Sequence, residues 1–344
     1  MMRRRLSSQI KDNAGEDDTI FRRKPTHIPR ISTGSTLLDL AISGGVMPGG
    51  GLPGGILVEI FGPPSCGKTV LLTEIAGSVQ RQGGEVMFYD PEARLNKLFA
   101  KRFGLNTDIM VYSTPGTVPE VFAPIRKWEP HDDSKIHGVF ADSLAALSTE
   151  MEMDDKDQYG MRRAKEFSEE LRKTCRVLTT KNFLMVCSNQ VRENVNAGPY
   201  EPKYRSPGGL SIGFYSSLRL RCSNPQKIKR EKTIQSGKLV SRIVGVETHI
   251  EVHKSSIWKP FHSAIVPILF DYGVDDIRAN LQFLKEHTKA KTYIVNGQKL
   301  SNGLDHACSI VEHDKLQKSL QQEVTNLWME IEGKFIHERK PKYQ

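Results

Sequence analysis

The sequence lacks any apolar run approaching the roughly 20 residues that a membrane-spanning helix needs, so we expect no membrane partner. Its five cysteines are scattered and form no CxxC pair. That pattern argues against a zinc site and favours free thiols in a reducing cytosol. Internal repeats and low-complexity tracts are also missing. We therefore expect a globular cytoplasmic protein, and 344 residues suffice for one large domain with appendages.

Acidic residues are scarce in one part of the chain. Between Lys203 and Arg242 there are ten basic residues, and Glu231 is the single acid, within a net charge of +9 for the whole chain. A local excess of this kind is typical of a surface that binds a polyanion. An ordinary solvated surface is the alternative that the charge count leaves open.

The order of apolar and polar segments predicts three regions. Residues 1–30 are polar and pattern-poor, which indicates an N-terminal arm. In 31–270, continuous apolar strands alternate with helices, which predicts an α/β core with a mostly parallel sheet covered by helices. Residues 271–344 predict a small α+β domain that ends in a helix at 315–333. Within the core we expect strands at 56–62, 85–90, 109–113, 136–142 and 182–189, and helices at 68–83, 93–104, 118–128 and 162–180.

The segment EIFGPPSCGKTV (59–70) has the pattern of a phosphate-binding loop between a strand and a helix. Backbone amides of such a loop converge on phosphate at the N-terminus of the following helix. Lys68 would reach the outer phosphates, and the Thr69 hydroxyl would ligate magnesium. The sequence therefore predicts ATP and Mg²⁺ as ligands, bound through Gly62, Pro63, Pro64, Ser65, Cys66, Gly67, Lys68, Thr69 and Val70.

Two carboxylates follow predicted strands and are candidates for the chemistry. Asp142 ends the strand IHGVFAD and would anchor the magnesium shell, with Ser143 as a neighbour. A turn residue is the plain alternative for a lone aspartate at a strand end. Glu92 follows the strand EVMFYD and would activate water near the terminal phosphate. Its alternative role is a glutamate favoured by the dipole at a helix N-terminus.

Seven segments occur in an order and spacing that resemble the RecA family of DNA recombinases. They are ISTGSTLLDLAISGG (31–45), the phosphate loop, YDPEARLNKLFAKRFG (89–104), FADSLAALSTE (140–150), SNQVREN (188–194), PGGLSIGFYSSLRL (207–220) and HKSSIWKPF (253–261). The resemblance covers residues 31–270 well and 271–344 loosely. It implies an ATP-dependent DNA strand-exchange recombinase that forms a helical filament on single-stranded DNA.

The resemblance also implies roles for single residues of the nucleotide site. Glu92 matches the family's catalytic glutamate, and Gln190 matches the glutamine that senses the γ-phosphate. Phe99 stands at the place of an aromatic side chain that stacks on adenine. Asn96 stands where the family usually has an acid facing the adenine amino group, which leaves base selectivity in doubt.

DNA contacts are implied in three places. The second DNA-binding loop spans about 191–209, where basic residues and close glycine backbones suit a phosphate chain. The first loop would be 152–161, although it is more acidic than DNA contact favours. The stretch 226–238 has the appearance of a hairpin connection and would bind duplex DNA, with a solvated hairpin as its alternative. The candidate residues are Arg172, Arg192, Lys203, Arg205, Gly208, Gly209, Lys227, Lys229, Arg230 and Lys232.

Self-association is implied at both ends of the core. The segment DTIFRR (18–23) resembles the family strand that adds to a neighbouring subunit, with Ile20 and Phe21 as anchors. Lys254 matches a lysine that reaches the neighbour's γ-phosphate, and would act in catalysis from the next subunit. Ser256 replaces its usual companion lysine, and the family's acidic C-terminal tail is absent.

Two other functions remain open at this point. One is a hexameric ring helicase or packaging motor on the same core. The other is a nucleotide-switched filament that binds DNA without efficient strand exchange, which the acidic first loop and Ser256 would suit.

Overall fold

The structure, a computed structural model, describes residues 29–148, 161–190, 192–193, 204–205 and 211–336. Its strands are β1 (Ile56–Gly62), β2 (Val86–Tyr89), β3 (Val111–Ser113), β4 (His137–Ala141), β5 (Phe183–Gln190), β6 (Arg192–Glu193), β7 (Tyr204–Arg205), β8 (Leu218–Thr233), β9 (Leu239–Ser255), β10 (Ser263–Leu269), β11 (Gly273–Val274), β12 (Ile294–Val295) and β13 (Gln298–Lys299). Its α-helices are α1 (Thr36–Ser43), α2 (Lys68–Arg81), α3 (Lys97–Arg102), α4 (Val118–Lys127), α5 (Met161–Thr180), α6 (Ser211–Tyr215), α7 (Asp276–His287), α8 (Leu304–His313) and α9 (Gln317–Lys334).

A nine-stranded sheet forms the centre of the molecule, in the order β11-β10-β9-β8-β1-β5-β4-β2-β3. The pairs from β3 to β8 are parallel, whereas β8, β9, β10 and β11 pair antiparallel. The prediction of an α/β core with a mostly parallel sheet is confirmed. Because β1, β2, β4 and β5 are parallel, their carboxyl ends meet at one edge, where ligands of open α/β sheets usually bind.

Both faces of the sheet are buried, which explains the continuous apolar runs of its central strands. Along β5, Leu184 and Val186 belong to one hydrophobic cluster, whereas Met185 and Cys187 belong to a second one. This division follows from the two-residue alternation of side chains along a strand. Each fully buried aliphatic or aromatic side chain contributes about 1.5–3 kcal/mol to folding. The sheet is therefore a firm base for residues at its carboxyl edge.

The C-terminal helices pack onto the core. Leu281, Val311 and Leu320 belong to the same hydrophobic cluster as the residues of α2. At the junction, the Asp276 carboxylate accepts hydrogen bonds from the Thr36 amide (2.6 Å) and the Thr36 hydroxyl (2.7 Å). Strand β11 lies just beyond the expected boundary at residue 270 and still pairs with β10. The division into arm, core and C-terminal domain stays a prediction, because residues 1–28 lie outside the described part.

Local hydrogen bonding explains where one element departs from expectation. A helix over 93–104 was expected, but α3 begins only at Lys97. The Asp90 carboxylate accepts from the Leu95 amide (2.7 Å), and Ala93 has a φ of 51°. Together they close a turn over 90–95 that is incompatible with helix. Glu92 consequently lies in a loop that is held by these hydrogen bonds, and not in a helix.

Candidate functional site

The phosphate-binding loop connects β1 to α2 at the carboxyl edge of the sheet. Gly67 precedes α2 with a φ of 82°, and a Cβ on it would lie 2.2 Å from the Ile268 Cδ1. The left-handed backbone angle therefore favours glycine there. The first amides of α2 have no partner within the helix, which suits them to bind an anion.

Lys68 lies over this loop. Its ammonium donates to the carbonyl oxygens of Gly62 (3.0 Å) and Pro63 (2.6 Å). The side chain also lines a cavity of about 500 Å³, together with Pro64, Ser65 and Val70 of the loop and its neighbour helix. A cation at this position suits binding of phosphate oxygens.

Cys66 points away from this cavity into the hydrophobic core, with 1% of its surface exposed. A hydrogen bond with Cys222 and the nearby ammonium of Lys68 lower the pKa of the Cys66 thiol to about 7, although burial opposes the change. The Cys66 sulfur also donates to the Pro63 carbonyl (3.0 Å). Its side chain therefore braces the loop from beneath, and only its backbone belongs to the predicted phosphate contacts.

Thr69 and Asp142 meet at the floor of the cavity, as a metal site requires. The Thr69 hydroxyl donates to Asp142 Oδ2 (2.6 Å), and the Ser188 hydroxyl donates to the other carboxylate oxygen. Hydroxyl and carboxylate oxygens are ligands that Mg²⁺ prefers. Ser143 lines the same cavity with a buried hydroxyl that has no hydrogen-bond partner among the described residues. These oxygens fit a hydrated magnesium ion.

The cavity unites the candidates that lie far apart in sequence. Lys68, Thr69, Glu92, Asp142 and Gln190 all line it. Gly62 pairs with Gln190 across β1 and β5, so the loop and the glutamine are neighbours in the sheet. The volume falls within the range of about 300–1,000 Å³ typical of small-molecule sites.

Glu92 has a partner that the sequence did not indicate. Arg94 Nη1 lies 2.7 Å from Glu92 Oε2, and both side chains line the cavity. The turn beneath them is fixed by Asp90, which also accepts a hydrogen bond from the Tyr112 hydroxyl (3.0 Å). An ion pair two residues apart could have been suspected from the letters Glu-Ala-Arg, but the left-handed Ala93 between them was not predictable.

The two residues expected to contact the adenine ring are the N-cap of α3 and a residue within α3, and neither lines the cavity. Asn96 is the N-cap of α3, and its side-chain oxygen accepts from the amides of Leu98 (3.0 Å) and Phe99 (3.2 Å). The Phe99 ring is 41% exposed and lies 5.6 Å from the Arg102 guanidinium carbon. The structure therefore leaves Phe99 accessible to a stacking partner, whereas Asn96 already has a structural use.

Lys254 lies on β9 and does not line the cavity. Its ammonium donates to the carbonyls of Gly213 (3.1 Å) and Phe214 (2.9 Å) at α6. Burial and the nearby Arg219 guanidinium lower the Lys254 pKa. Arg219 in turn forms an ion pair with the buried Glu59 of β1 (2.6 Å). A side chain outside its own nucleotide cavity is what an interface role requires.

Some of the candidate DNA-contacting residues lie in the described part of the chain, and others do not. Arg172 is exposed on α5. Arg192 pairs with Arg205 across the short ladder of β6 and β7, directly after Gln190. Lys203, Gly208 and Gly209 lie outside the described residues, as does the first loop except for Met161, which begins α5. The second loop is thus attached through a two-stranded stem to the strand that carries Gln190.

The basic stretch 226–238 is mostly strand. Its first part continues β8, and only residues 234–238 connect β8 to β9. Lys227, Lys229 and Lys232 are exposed, whereas Arg230 is half-buried and contacts Asp305 of α8 (3.3 Å). The expected hairpin is present, but its connection is shorter than predicted, because pairing with β9 extends the strand through the charged residues. We call these three exposed lysines, Lys227, Lys229 and Lys232, the basic ladder.

Comparisons with known proteins agree on one family. The sequence profile of the RecA N-terminal domain matches residues 6–275. The RecA protein of Marinobacter nauticus is 32% identical over 297 residues, which cover 83% of this chain and 80% of that protein. The RecA protein of Wolbachia from Brugia malayi is 32% identical over 327 residues, covering 92% and 86%. The chain belongs to the RecA family.

RecA-family membership gives the protein a function in DNA recombination and repair. It also implies a DNA-dependent ATPase that uses a nucleotide and a metal, binds DNA and forms oligomers. Among the described residues, no helix is long and apolar enough to cross a membrane.

Proposed function

We propose that this protein is a cytoplasmic, ATP-dependent DNA strand-exchange recombinase, active as a helical filament on single-stranded DNA. The observation that carries the proposal is the shared cavity: Lys68, Thr69, Glu92, Asp142 and Gln190 all line it, and Gln190 ends the strand that leads into the β6–β7 stem. A nucleotide bound there would touch both the hydrolytic residues and the base of a DNA-binding loop.

The roles of the residues follow from their positions. Amides at the start of α2 and the Lys68 ammonium would bind the phosphates, while Phe99 would stack on adenine. Thr69 and Asp142 would hold Mg²⁺, which supplies charge neutralisation at the phosphates. Glu92 would accept the proton of the attacking water. Gln190 would donate its amide to the γ-phosphate and so transmit the nucleotide state to residues 191–209.

The sheet offers an edge for filament assembly. Among the described strands, β3 is the last one at this edge of the sheet, and Ile109 just before it and Val111 within it are 67% and 53% exposed. An unpaired edge with apolar side chains is a template for an added strand. The arm segment 18–23 of a neighbouring subunit, with Ile20 and Phe21, would fit this edge. Lys254 would then reach the nucleotide of the next subunit.

DNA would be held along its backbone, with sequence specificity supplied by base pairing. Arg172 and the second loop would bind the single strand, through Arg192, Lys203, Arg205, Gly208 and Gly209. The basic ladder, with Arg230, would bind the incoming duplex. The exposed lysines along β8 would neutralise phosphates of the DNA backbone.

A strand-exchange assay between a circular single strand and a homologous linear duplex tests the proposal. We expect joint molecules that require ATP, and filaments on the single strand in electron micrographs. ATPase activity should rise when single-stranded DNA is added. Filaments without joint molecules would instead favour a DNA-binding filament without exchange, and rings would favour a helicase-type motor.

A further inference from the structure

Two cationic side chains line the nucleotide cavity within the described residues, Lys68 and Arg94. Lys68 belongs to the phosphate loop, and its role follows from that motif. Arg94 lies on the opposite segment, after β2, and the proposed mechanism does not use it. Three carboxylates line the same cavity: Asp90, Glu92 and Asp142. A triphosphate with several negative charges would enter a site already rich in anions, which makes the second cation important.

Hydrogen bonds hold the backbone on both sides of Arg94, whereas its side chain is largely exposed. Asp90 is 2% exposed and accepts from the Leu95 amide (2.7 Å), and the Ala93 amide donates to the Asp90 carbonyl (3.0 Å). These bonds fix the turn on both sides of Arg94. By contrast, the Arg94 side chain is 75% exposed. A fixed base with a long accessible side chain is suited to reaching a ligand.

Glu92 determines the direction of the guanidinium. The ion pair between Arg94 Nη1 and Glu92 Oε2 spans 2.7 Å at the rim of the cavity. Among the described residues, no hydrogen bond uses the other guanidinium N–H groups. A guanidinium presents five donors in a planar fork, so contact with one carboxylate leaves donors for phosphate oxygens.

We infer that Arg94 is a second phosphate-binding cation of this site, anchored by Glu92 and directed at the terminal phosphate of the nucleotide in its own subunit. The inference rests on the proposed function only in taking the cavity as the ATP site. It adds a contact that discriminates between a triphosphate and a diphosphate. Lys68 would hold the phosphates from the loop side, and Arg94 would hold the terminal one from the side of Glu92.

Nucleotide binding tests this directly and needs neither hydrolysis nor DNA. Dissociation constants for Mg-ADP and for the Mg complex of β,γ-imido ATP would be measured by calorimetry on the full chain. For Arg94→Ala we expect about tenfold weaker binding of the imido triphosphate, the loss typical of one charge-assisted hydrogen bond, with ADP affinity unchanged. Arg94→Lys should recover part of the loss, because it restores the charge without the fork.

Lys101→Ala is the matched control. Lys101 also forms an ion pair with a carboxylate, Asp108 (2.8 Å), but neither residue lines the cavity. This variant should bind both nucleotides as the wild type does. The inference is overturned if Arg94→Ala keeps the wild-type ratio of the two affinities, or if both affinities fall equally. The test is separate from that of the ATPase mechanism, because the affinities of Arg94→Ala are measured without hydrolysis, whereas normal hydrolysis by Glu92→Gln would refute only the general base.

Discussion

The nucleotide cavity and the basic ladder hold their polar side chains in opposite ways. In the cavity, Lys68, Thr69 and Asp142 are already hydrogen-bonded to protein partners. On the ladder, Lys227, Lys229 and Lys232 are exposed and form no ion pair within the described part of the chain. Fixed geometry suits a site that must position a reacting group. Mobile cations suit a uniform chain of phosphates, where charge matters more than position.

The contrast predicts two kinds of mutational response. A single substitution in the cavity should strongly impair one step, either ATP binding or hydrolysis, because each side chain has a distinct geometric role. Substitutions on the ladder should act gradually and in proportion to the charge removed.

The largest expected effect is that of Glu92→Gln, which should impair hydrolysis in the cavity and leave DNA binding by the basic ladder unchanged. Turnover of ATP should fall by about 10²–10⁴, because the proton acceptor is lost while shape is kept. Binding of ATP and DNA should persist, whereas Lys68→Ala should weaken ATP binding itself. Steady-state ATPase assays and nucleotide titrations separate the two variants.

The control for Glu92→Gln is Glu129→Gln, which removes an exposed carboxylate paired with Lys181 far from the cavity. It should hydrolyse ATP normally. Near-normal turnover in Glu92→Gln would remove its assignment as the base.

Gln190→Ala would uncouple the nucleotide cavity from single-strand binding by the second loop, without touching the basic ladder. In the wild type, a non-hydrolysable ATP analogue should strengthen single-strand binding relative to ADP, typically by about 5–150-fold for such coupling. The variant should bind the analogue yet lose this difference, because the loop no longer senses the phosphate. Fluorescence anisotropy with labelled single strands measures it.

Lys254→Ala should reduce the same coupling from the interface, and Ser256 offers no second cation to replace it. Because coupling between two ligands is reciprocal, DNA must strengthen analogue binding by the same factor. Equal single-strand affinity of the wild type with both nucleotides would contradict the switch.

Removing the ladder's charges should have a moderate, graded effect. The triple variant Lys227→Ala, Lys229→Ala, Lys232→Ala should capture duplex DNA more weakly while binding single strands as before. Each lost phosphate contact lowers the slope of log affinity against log salt by about 0.9 for duplex DNA. Arg230→Ala should matter less, since Arg230 already contacts Asp305. Salt titrations of duplex binding measure the slope.

Lys101→Ala, Lys127→Ala and Lys135→Ala together remove the same charge from exposed positions near the other edge of the sheet. An equal loss of duplex binding in this control would show that net charge, and not the ladder, is responsible.

The smallest expected effect is a change in the pH dependence of folding stability. Burial raises the pKa of Glu74 on α2 to about 7, from its ordinary value near 4.5. The folded state therefore keeps a proton that the unfolded state releases, so stability falls as pH rises from about 4.5 to 7. Glu74→Gln keeps the acceptor for the Val274 amide (3.2 Å) and has no proton to lose.

Melting temperatures should show the difference. Between pH 5 and pH 8, the melting temperature of Glu74→Gln should rise by a few degrees relative to that of the wild type. This corresponds to about 1 kcal/mol in the free energy of unfolding for a protein of this size. A constant difference across that range would contradict the shifted pKa. ATP binding at pH 8 serves as the control that the cavity is intact.

Several parts of the site could be predicted because each is a local pattern at a strand end. The phosphate loop, Glu92, Asp142 and Gln190 all follow buried apolar strands, and parallel strands end at the same edge. Ser188 and Arg94 were not predicted, because a serine within a strand and an arginine in a turn have no distinctive signal. Their roles depend on which side chains face them.

The strand structure of the basic ladder, by contrast, could not be predicted from the sequence. Five of the six letters in KIKREK are charged, and this composition indicated a hairpin connection. Only pairing with β9, from Gln226 opposite Glu247 to Thr233 opposite Leu239, makes them strand. Similarly, the composition around Asn96 suggested an earlier helix start, and the bonds of Asp90 delay it.

By itself, the sequence determined the class of sheet and the nucleotide loop, because hydrophobic period and glycine spacing are properties of neighbours along the chain. The tertiary structure decided that Ser188 would share Asp142 with Thr69, that Arg94 would face the cavity beside Glu92, and that Lys254 would be bound to α6 outside it. Those outcomes depend on distances between segments far apart in sequence, which are set when strands pair and helices pack, and no local pattern contains them.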